Sequence, residues 1–171
     1  MRLLYLSCLG LSLTLAGCIG NEEPITPVLS VSYVPRLMAR EQLEGAAVGL
    51  PPQALHRPGK IFVSSRYLFV NEQYQGIHIF DNADPAHPQA VQFLRIPGNV
   101  DLAVRGTLLY ADSGPDLVTF DISDPAQARV AGRTRNALPE LSPPVLGMPL
   151  PTAYQPANRP ANTVIVGWDK R

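Results

Sequence analysis

The side chains whose types suit chemistry are three histidines, two turns dense in aspartate, a glutamate and a scatter of serines. Asp81-Asn82-Ala83-Asp84 offers hard oxygen ligands of the kind calcium takes. It lacks the further ligands and the glycine of the known calcium loop. The other reading is an Asx-type turn, in which Asp81 or Asp84 accepts backbone N–H groups ahead of Pro85. The turn recurs at Asp121 to Pro125, which favours structure over ligation. His56, His78 and His87 show no His-x-x-x-His spacing, so no metal site is assigned to them. Ser64, Ser65, Ser113 and Ser123 fall in turns without the Gly-x-Ser-x-Gly context of a hydrolase nucleophile. Glu72 and Asp112 read as equivalent positions of a repeat, suited to an acid–base pair or to one shared structural task. His78, Tyr74, Asn99 and Asp112 are candidates to line a binding surface at one end of the strands. No catalytic, cofactor-binding or metal residue is assigned, and no cofactor is expected.

The N-terminus carries a different chemistry. Arg2 precedes an apolar run from Leu3 to Ala16, which is short for a membrane span and has the length of a secretory signal. It ends in Leu15-Ala16-Gly17-Cys18, which resembles the lipobox of bacterial lipoproteins. That resemblance implies cleavage between Gly17 and Cys18 and lipid attachment at Cys18. The alternative is an ordinary signal peptide that happens to hold a cysteine. Cys8 lies inside the discarded run, so the mature chain would keep one cysteine, itself acylated, and form no disulfide. A triacylated cysteine buries enough methylenes, at about 0.8 kcal/mol each, to anchor without a basic patch. Ile19 is not the aspartate that resembles an inner-membrane retention signal. Glu22-Glu23 is similar to surface-export tags, so the expected location is the outer membrane, at its periplasmic face or the cell surface.

Several elements must then position the remaining residues. The chain has 171 residues, no net charge and eighteen prolines. Charge balance argues against a nucleic-acid partner, and the prolines argue against long helices. Five stretches are read: a signal peptide over 1–17, a lipidated tether with a short helix over 18–56, repeats over 57–135, a Pro-rich linker over 136–162 and a strand over 163–171. The helix is placed in 37–48, ending near Gly45. Short runs rich in β-branched and aromatic residues, 60–63, 67–70, 76–80 and 90–94, alternate with turn residues and read as a four-stranded antiparallel meander. The pattern returns forty residues on without a gap: Leu68 matches Leu108, Phe80-Asp81 matches Phe120-Asp121, and Asp84-Pro85-Ala86 matches Asp124-Pro125-Ala126. That period with four strands is the size of one β-propeller blade.

The stretches from Gly76 to Pro88 and from Asp116 to Ala126 resemble the LVIVD repeat of bacterial propeller-like proteins. Ile96 to Val104 with Leu109 to Ser113 is similar to a subset of these, lipoproteins many of which come from the Bacteroidetes. The resemblance implies an all-β fold of two four-stranded antiparallel blades, an incomplete propeller, with a short N-terminal helix and extended, Pro-rich flanks. It implies no reaction. Family members generally have several blades, so this chain is expected to be a truncated member. A self-associating two-blade module is a second option. In a third, the N-terminal stretch and residues 163–168 patch the open edges. The function expected is a lipid-anchored, non-enzymatic interaction module for a protein or glycan, with self-association where an outer face stays bare. The alternative is a fragment of a larger propeller hydrolase or oxidoreductase with its active site in missing blades.

Overall fold

The computed structural model describes residues 32–171. Gly17 and Cys18, the signal peptide and most of the tether lie outside the described residues. The order of elements is β1 (Tyr33–Ala39), α1 (Arg40–Ala46), β2 (Val48–Leu50), β3 (Pro58–Ser64), β4 (Tyr67–Glu72), β5 (Gly76–Asp81), β6 (Gln89–Arg95), β7 (Leu102–Arg105), β8 (Leu108–Ser113), β9 (Asp116–Asp121), β10 (Arg129–Thr134) and β11 (Thr163–Lys170). The described chain is mostly β, with one α-helix and three antiparallel sheets, none closed.

The two meanders form as the strand patterns predict, with one correction. The second, β7-β8-β9-β10, has four strands. The first has five, because β2 adds to the outer edge of β6 in the order β3-β4-β5-β6-β2. Val48 to Leu50 pairs with Arg95 to Phe93. Sequence reasoning ends its helix candidate at Val48, the first of these residues, and Pro51-Pro52 releases the segment from the edge after three residues.

The ladders also correct the repeat register. Ile61 pairs with Val70 and Leu102 with Ala111, so β3 and β4 recur 41 residues on. Phe80 pairs with Ala90 and Phe120 with Val130, so β5 and β6 recur 40 residues on. The difference is one residue lost from a hairpin loop. Glu72 and Gly76 enclose three residues, whereas Ser113 and Asp116 enclose two. Leu68 therefore matches Leu109 rather than Leu108. A β-bulge recurs at the same place in both sheets, at Val91 and at Ala131. It adds a residue on the outermost meander strand and increases its twist.

A one-residue offset in a strand exchanges its faces, and the packing follows the ladder register. Phe69, Ile77, Ile79 and Leu94 of the first sheet pack against Leu102, Leu109, Ala111, Val118 and Phe120 of the second. Phe69 and Phe120 are each at most 1% exposed. Burying such a side chain stabilises by about 1.5–3 kcal/mol. Gln92 joins the sheets beside this core, its Oε1 accepting the Ala128 N–H at 2.9 Å.

The third sheet is a two-stranded ribbon of β1 and β11, Tyr33 opposite Lys170 and Ala39 opposite Thr163. Leu37 and Met38, expected to begin the helix, instead pair with Ile165 and Val164. A helix starting at Leu37 would forfeit those ladder bonds, so α1 is confined to seven residues. Its buried residue Leu43 packs with Val164 and Val166 on one side of the ribbon. Ile165 and Trp168 pack with Tyr74 on the other. Residues 136–162 include two short 3-10 turns, Thr152–Tyr154 and Pro156–Asn158. Arg159 holds the segment to itself by bonding Glu140 at 2.6 Å, and Trp168 of β11 ties it back, Nε1 donating to the Leu141 carbonyl at 3.2 Å. The 33–36 end of the expected tether is thus strand, and the expected linker is packed structure.

Candidate functional site

The polar residues singled out by sequence gather where the β4–β5 and β8–β9 hairpins meet the connection between the sheets. Glu72 and His78, each 2% exposed, face one another at 3.2 Å. Both lie on the outer face of the first sheet with Val70 and Phe93, and the His78 ring lies 4.6 Å from that of Phe93. Glu72 also accepts the backbone N–H of His56 at 2.9 Å and of Arg57 at 2.6 Å. Burial by itself would raise the Glu72 carboxyl, but those N–H bonds and His78 outweigh it and hold the group below its ordinary value. Burial lowers His78, against the pull of Glu72. Both carboxylate oxygens are thereby committed to holding loop 51–57 across the sheet, which is a structural task.

Asn99 is fully buried and joins the two repeats. Asn71 Nδ2 donates to Asn99 Oδ1 at 2.5 Å, and Asn99 Nδ2 donates to Asp112 Oδ1 at 2.7 Å. Asp112 Oδ1 also accepts the N–H groups of Val100 and Asp101, both at 2.9 Å. By the ladder register Asn71 is the residue equivalent to Asp112, and Glu72 is equivalent to Ser113. The expected equivalence of Glu72 and Asp112 is therefore incorrect. The missing hairpin residue displaces it by one, and the two carboxylates point to opposite faces of their sheets. Ser113 Oγ donates to the Pro97 carbonyl at 3.1 Å. Tyr74, in the left-handed region at φ 65°, donates its N–H to the Asn99 carbonyl at 2.7 Å.

His78, Tyr74, Asn99 and Asp112 do share one end of the sheets, but they are buried there and line no common open surface. The aspartate turns are Asx turns in both repeats. Asp81 accepts the Ala83 N–H and Asp84 that of Ala86, each at 3.0 Å; Asp121 and Asp124 treat Ser123 and Ala126 alike at 2.9 and 3.1 Å. Asp81 is further paired with Arg66, and Asp84 with the exposed His87 at 2.9 Å. Ser65 takes a positive φ in the β3–β4 turn.

Sequence reasoning passes over Asp116. This carboxylate is fully buried and receives Arg40 at 2.6 Å, Arg133 at 2.9 Å and the Asn136 N–H at 3.0 Å. Burial opposes its ionisation, yet these donors prevail and depress it. It fastens α1 and the segment after β10 to the second sheet. The available signal is that Asp116 stands where the first repeat has Gly76, so a charge there implies partners of its own.

A groove of about 420 Å³ lies on the outer face of the second sheet. Tyr110, Leu117, Leu138 and Leu141 line it, Lys60 and Asp101 stand at it as an ion pair of 2.6 Å, and Asp112 contributes from the sheet. Asp112 is 8% exposed, and burial raises its carboxyl against the N–H bonds to Oδ1. Among the described residues nothing donates to its Oδ2.

Comparison with known families finds the LVIVD repeat over residues 98–134, which is the second sheet with the connection leading into it; this repeat is associated with propeller-like folds. No curated protein and no solved structure matches the chain.

Proposed function

We propose that this chain is a membrane-anchored extracytoplasmic lipoprotein of the Bacteroidetes type. Its two meander sheets serve as propeller-type blades and form a non-catalytic platform for a protein or glycan. The observation that carries the platform reading is the recurrence of one structural unit, bulge included, in two sheets stacked face to face. Face-to-face stacking of four-stranded meanders is how propellers are built. The LVIVD match over the second sheet supports the same reading. A binding role is favoured over a reaction because the most chemically suggestive pair, Glu72 and His78, spends its hydrogen bonds on internal structure.

The anchor rests on the Leu15-Ala16-Gly17-Cys18 sequence after an apolar run. With Cys18 acylated, the membrane is the first partner, and Glu22-Glu23 favours an outer-membrane position at the periplasmic face or the cell surface. Expression in a Gram-negative host tests the assignment. The wild-type chain should take up labelled palmitate and sediment with membranes. Cys18→Ser should remain as uncleaved precursor or lose the label and the membrane. Processed, membrane-bound Cys18→Ser protein would refute it.

A further inference from the structure

The two repeats enter their following connections in the same way and then part. After β6, the Gly98 N–H bonds the carbonyl of Tyr74 at the hairpin tip at 3.0 Å; after β10, the Leu138 N–H bonds that of Pro115, also at 3.0 Å. Forty residues separate Gly98 from Leu138, the spacing of β6 and β10, so Pro139 stands where the first repeat has Asn99. In the first repeat the side chains at these positions meet, Asn71 with Asn99. In the second, the residue in the place of Asn99 is a proline that lines the same groove as Asp112 and has neither an N–H nor a polar side chain. The carboxylate keeps three N–H bonds on Oδ1 and none on Oδ2 among the described residues, although it is nine-tenths buried.

We infer that the groove on the outer face of the second sheet binds a small amphiphile bearing an ammonium group, received by Asp112 Oδ2, with its apolar body against Leu117, Leu138 and Tyr110. Charge selects the cation. Lys60 and Asp101 at the groove are paired with each other, which leaves Asp112 as the uncompensated charge. A charge-assisted bond to a buried carboxylate is stronger than one to a neutral donor. About 420 Å³ lies within the usual range for small-ligand sites, and the mix of apolar walls with a few polar groups is their usual composition. Leu138, Pro139 and Leu141 stand at the groove where a further sheet would have to pack, which favours a small occupant over a second copy of the chain. Burial raises the Asp112 carboxyl, so a cation has a desolvated charge to stabilise. This site does not depend on the anchored-platform reading, since the sheet builds it whether or not Cys18 is acylated.

The test is calorimetric titration of the full chain at neutral pH with 2-phenylethylammonium chloride, 2-phenylethanol and 3-phenylpropionate. The ammonium compound should bind, the alcohol about tenfold or more weaker, and the carboxylate not at all. Asp112→Asn retains an oxygen for the Val100 and Asp101 N–H groups and should lose the preference for the ammonium compound over the alcohol. Ala103→Trp changes an exposed residue on the groove wall, and should block all three probes without lowering the unfolding temperature. If Asp112→Asn does not fold, Ala103→Trp and the probe series decide. Equal affinity for ammonium and alcohol, no ammonium binding at millimolar concentration, or binding untouched by Ala103→Trp would overturn the site. So would sedimentation showing an oligomer that Ala103→Trp dissociates, because a second copy would then fill the groove.

Discussion

At Gly98 three parts of the chain pack closely together, and substituting it tests their arrangement. It has φ +81° in the connection between the two sheets. A Cβ there would lie 2.6 Å from the Gly114 nitrogen, at the β8–β9 tip, and 3.3 Å from the Val166 Cα of β11. Neither neighbour is a side chain that can swing aside. Gly106 is the natural control: its φ is +60°, and a Cβ there meets nothing within 4 Å. Both substitutions place alanine in the left-handed region, at about 1–2 kcal/mol, partly offset by the stiffer unfolded chain. Gly98→Ala adds the overpacking term, about 1–3 kcal/mol. The expected losses are about 1 kcal/mol for Gly106→Ala and about 2–4 kcal/mol for Gly98→Ala. At about 3 °C per kcal/mol for a domain of this size, the unfolding midpoints should fall by about 3 °C and about 6–12 °C. Denaturant titrations of the two variants against wild type measure the difference directly. Equal losses would mean that the connection, the hairpin tip and β11 do not meet in this way.

Phe120→Ala should cost about 3–5 kcal/mol, because its ring is fully buried between the sheets, whereas Ile61→Ala should cost under about 0.5 kcal/mol at a position 60% exposed; chemical denaturation separates the two, and similar losses would contradict the assignment of faces. Asp116→Ala leaves Arg40 and Arg133 without their shared carboxylate and should lose about 3–5 kcal/mol, with Asp116→Asn losing less; circular-dichroism melts report it, and a neutral Asp116→Ala would refute the fastening role. Glu72 sits below its ordinary value in the folded chain, so the stability it supplies is present above the unfolded carboxylate range and is lost as pH falls through the depressed folded value. His78, also depressed, acts in the same direction, losing stability as pH falls below its unfolded value near 6.5. Unfolding followed across the acid range should show Glu72→Gln with a flatter profile than wild type, and identical profiles would contradict the depression.

The strands were legible because each is a short run of β-branched and aromatic residues between turn formers. Lys60 to Val63 lies within β3, Tyr67 to Val70 within β4, Gly76 to Phe80 within β5 and Ala90 to Leu94 within β6. The aspartate turns were legible for the same reason, since Asx geometry depends only on local sequence. What sequence could not supply was long-range pairing. Leu37 and Met38 carry helix propensity, but their ladder partners are more than 120 residues away in β11. Val48 to Leu50 is too short to read as a strand until β6 offers an edge. The proline-rich stretch looks like a linker by composition, and the bonds that pack it reach residues outside it: the Asn136 N–H to Asp116, the Leu138 N–H to the Pro115 carbonyl and Trp168 Nε1 to the Leu141 carbonyl.

The most consequential misreading concerns a single residue. A gapless forty-residue alignment gives plausible matches throughout, because neighbouring positions such as Leu108 and Leu109 are alike in type. It places Glu72 beside Asp112 and suggests an acid–base pair. Removing one residue from the hairpin loop shifts β7 and β8 by one and exchanges their faces, so Leu109 turns to the core and Tyr110 and Asp112 turn outward to the groove. Within a sheet, chemistry follows the parity of a position as much as its residue type. The same displacement makes Asn71 the partner of Asp112 by descent of structure, with Asn99 bonded to both. At the unchanged forty-residue spacing Pro139 stands where the first repeat has Asn99, so Asp112 is held through Oδ1 alone, by Asn99 and two backbone N–H groups, and its Oδ2 has no donor among the described residues. The position where the repeat stops repeating is therefore the position where a ligand has something to add.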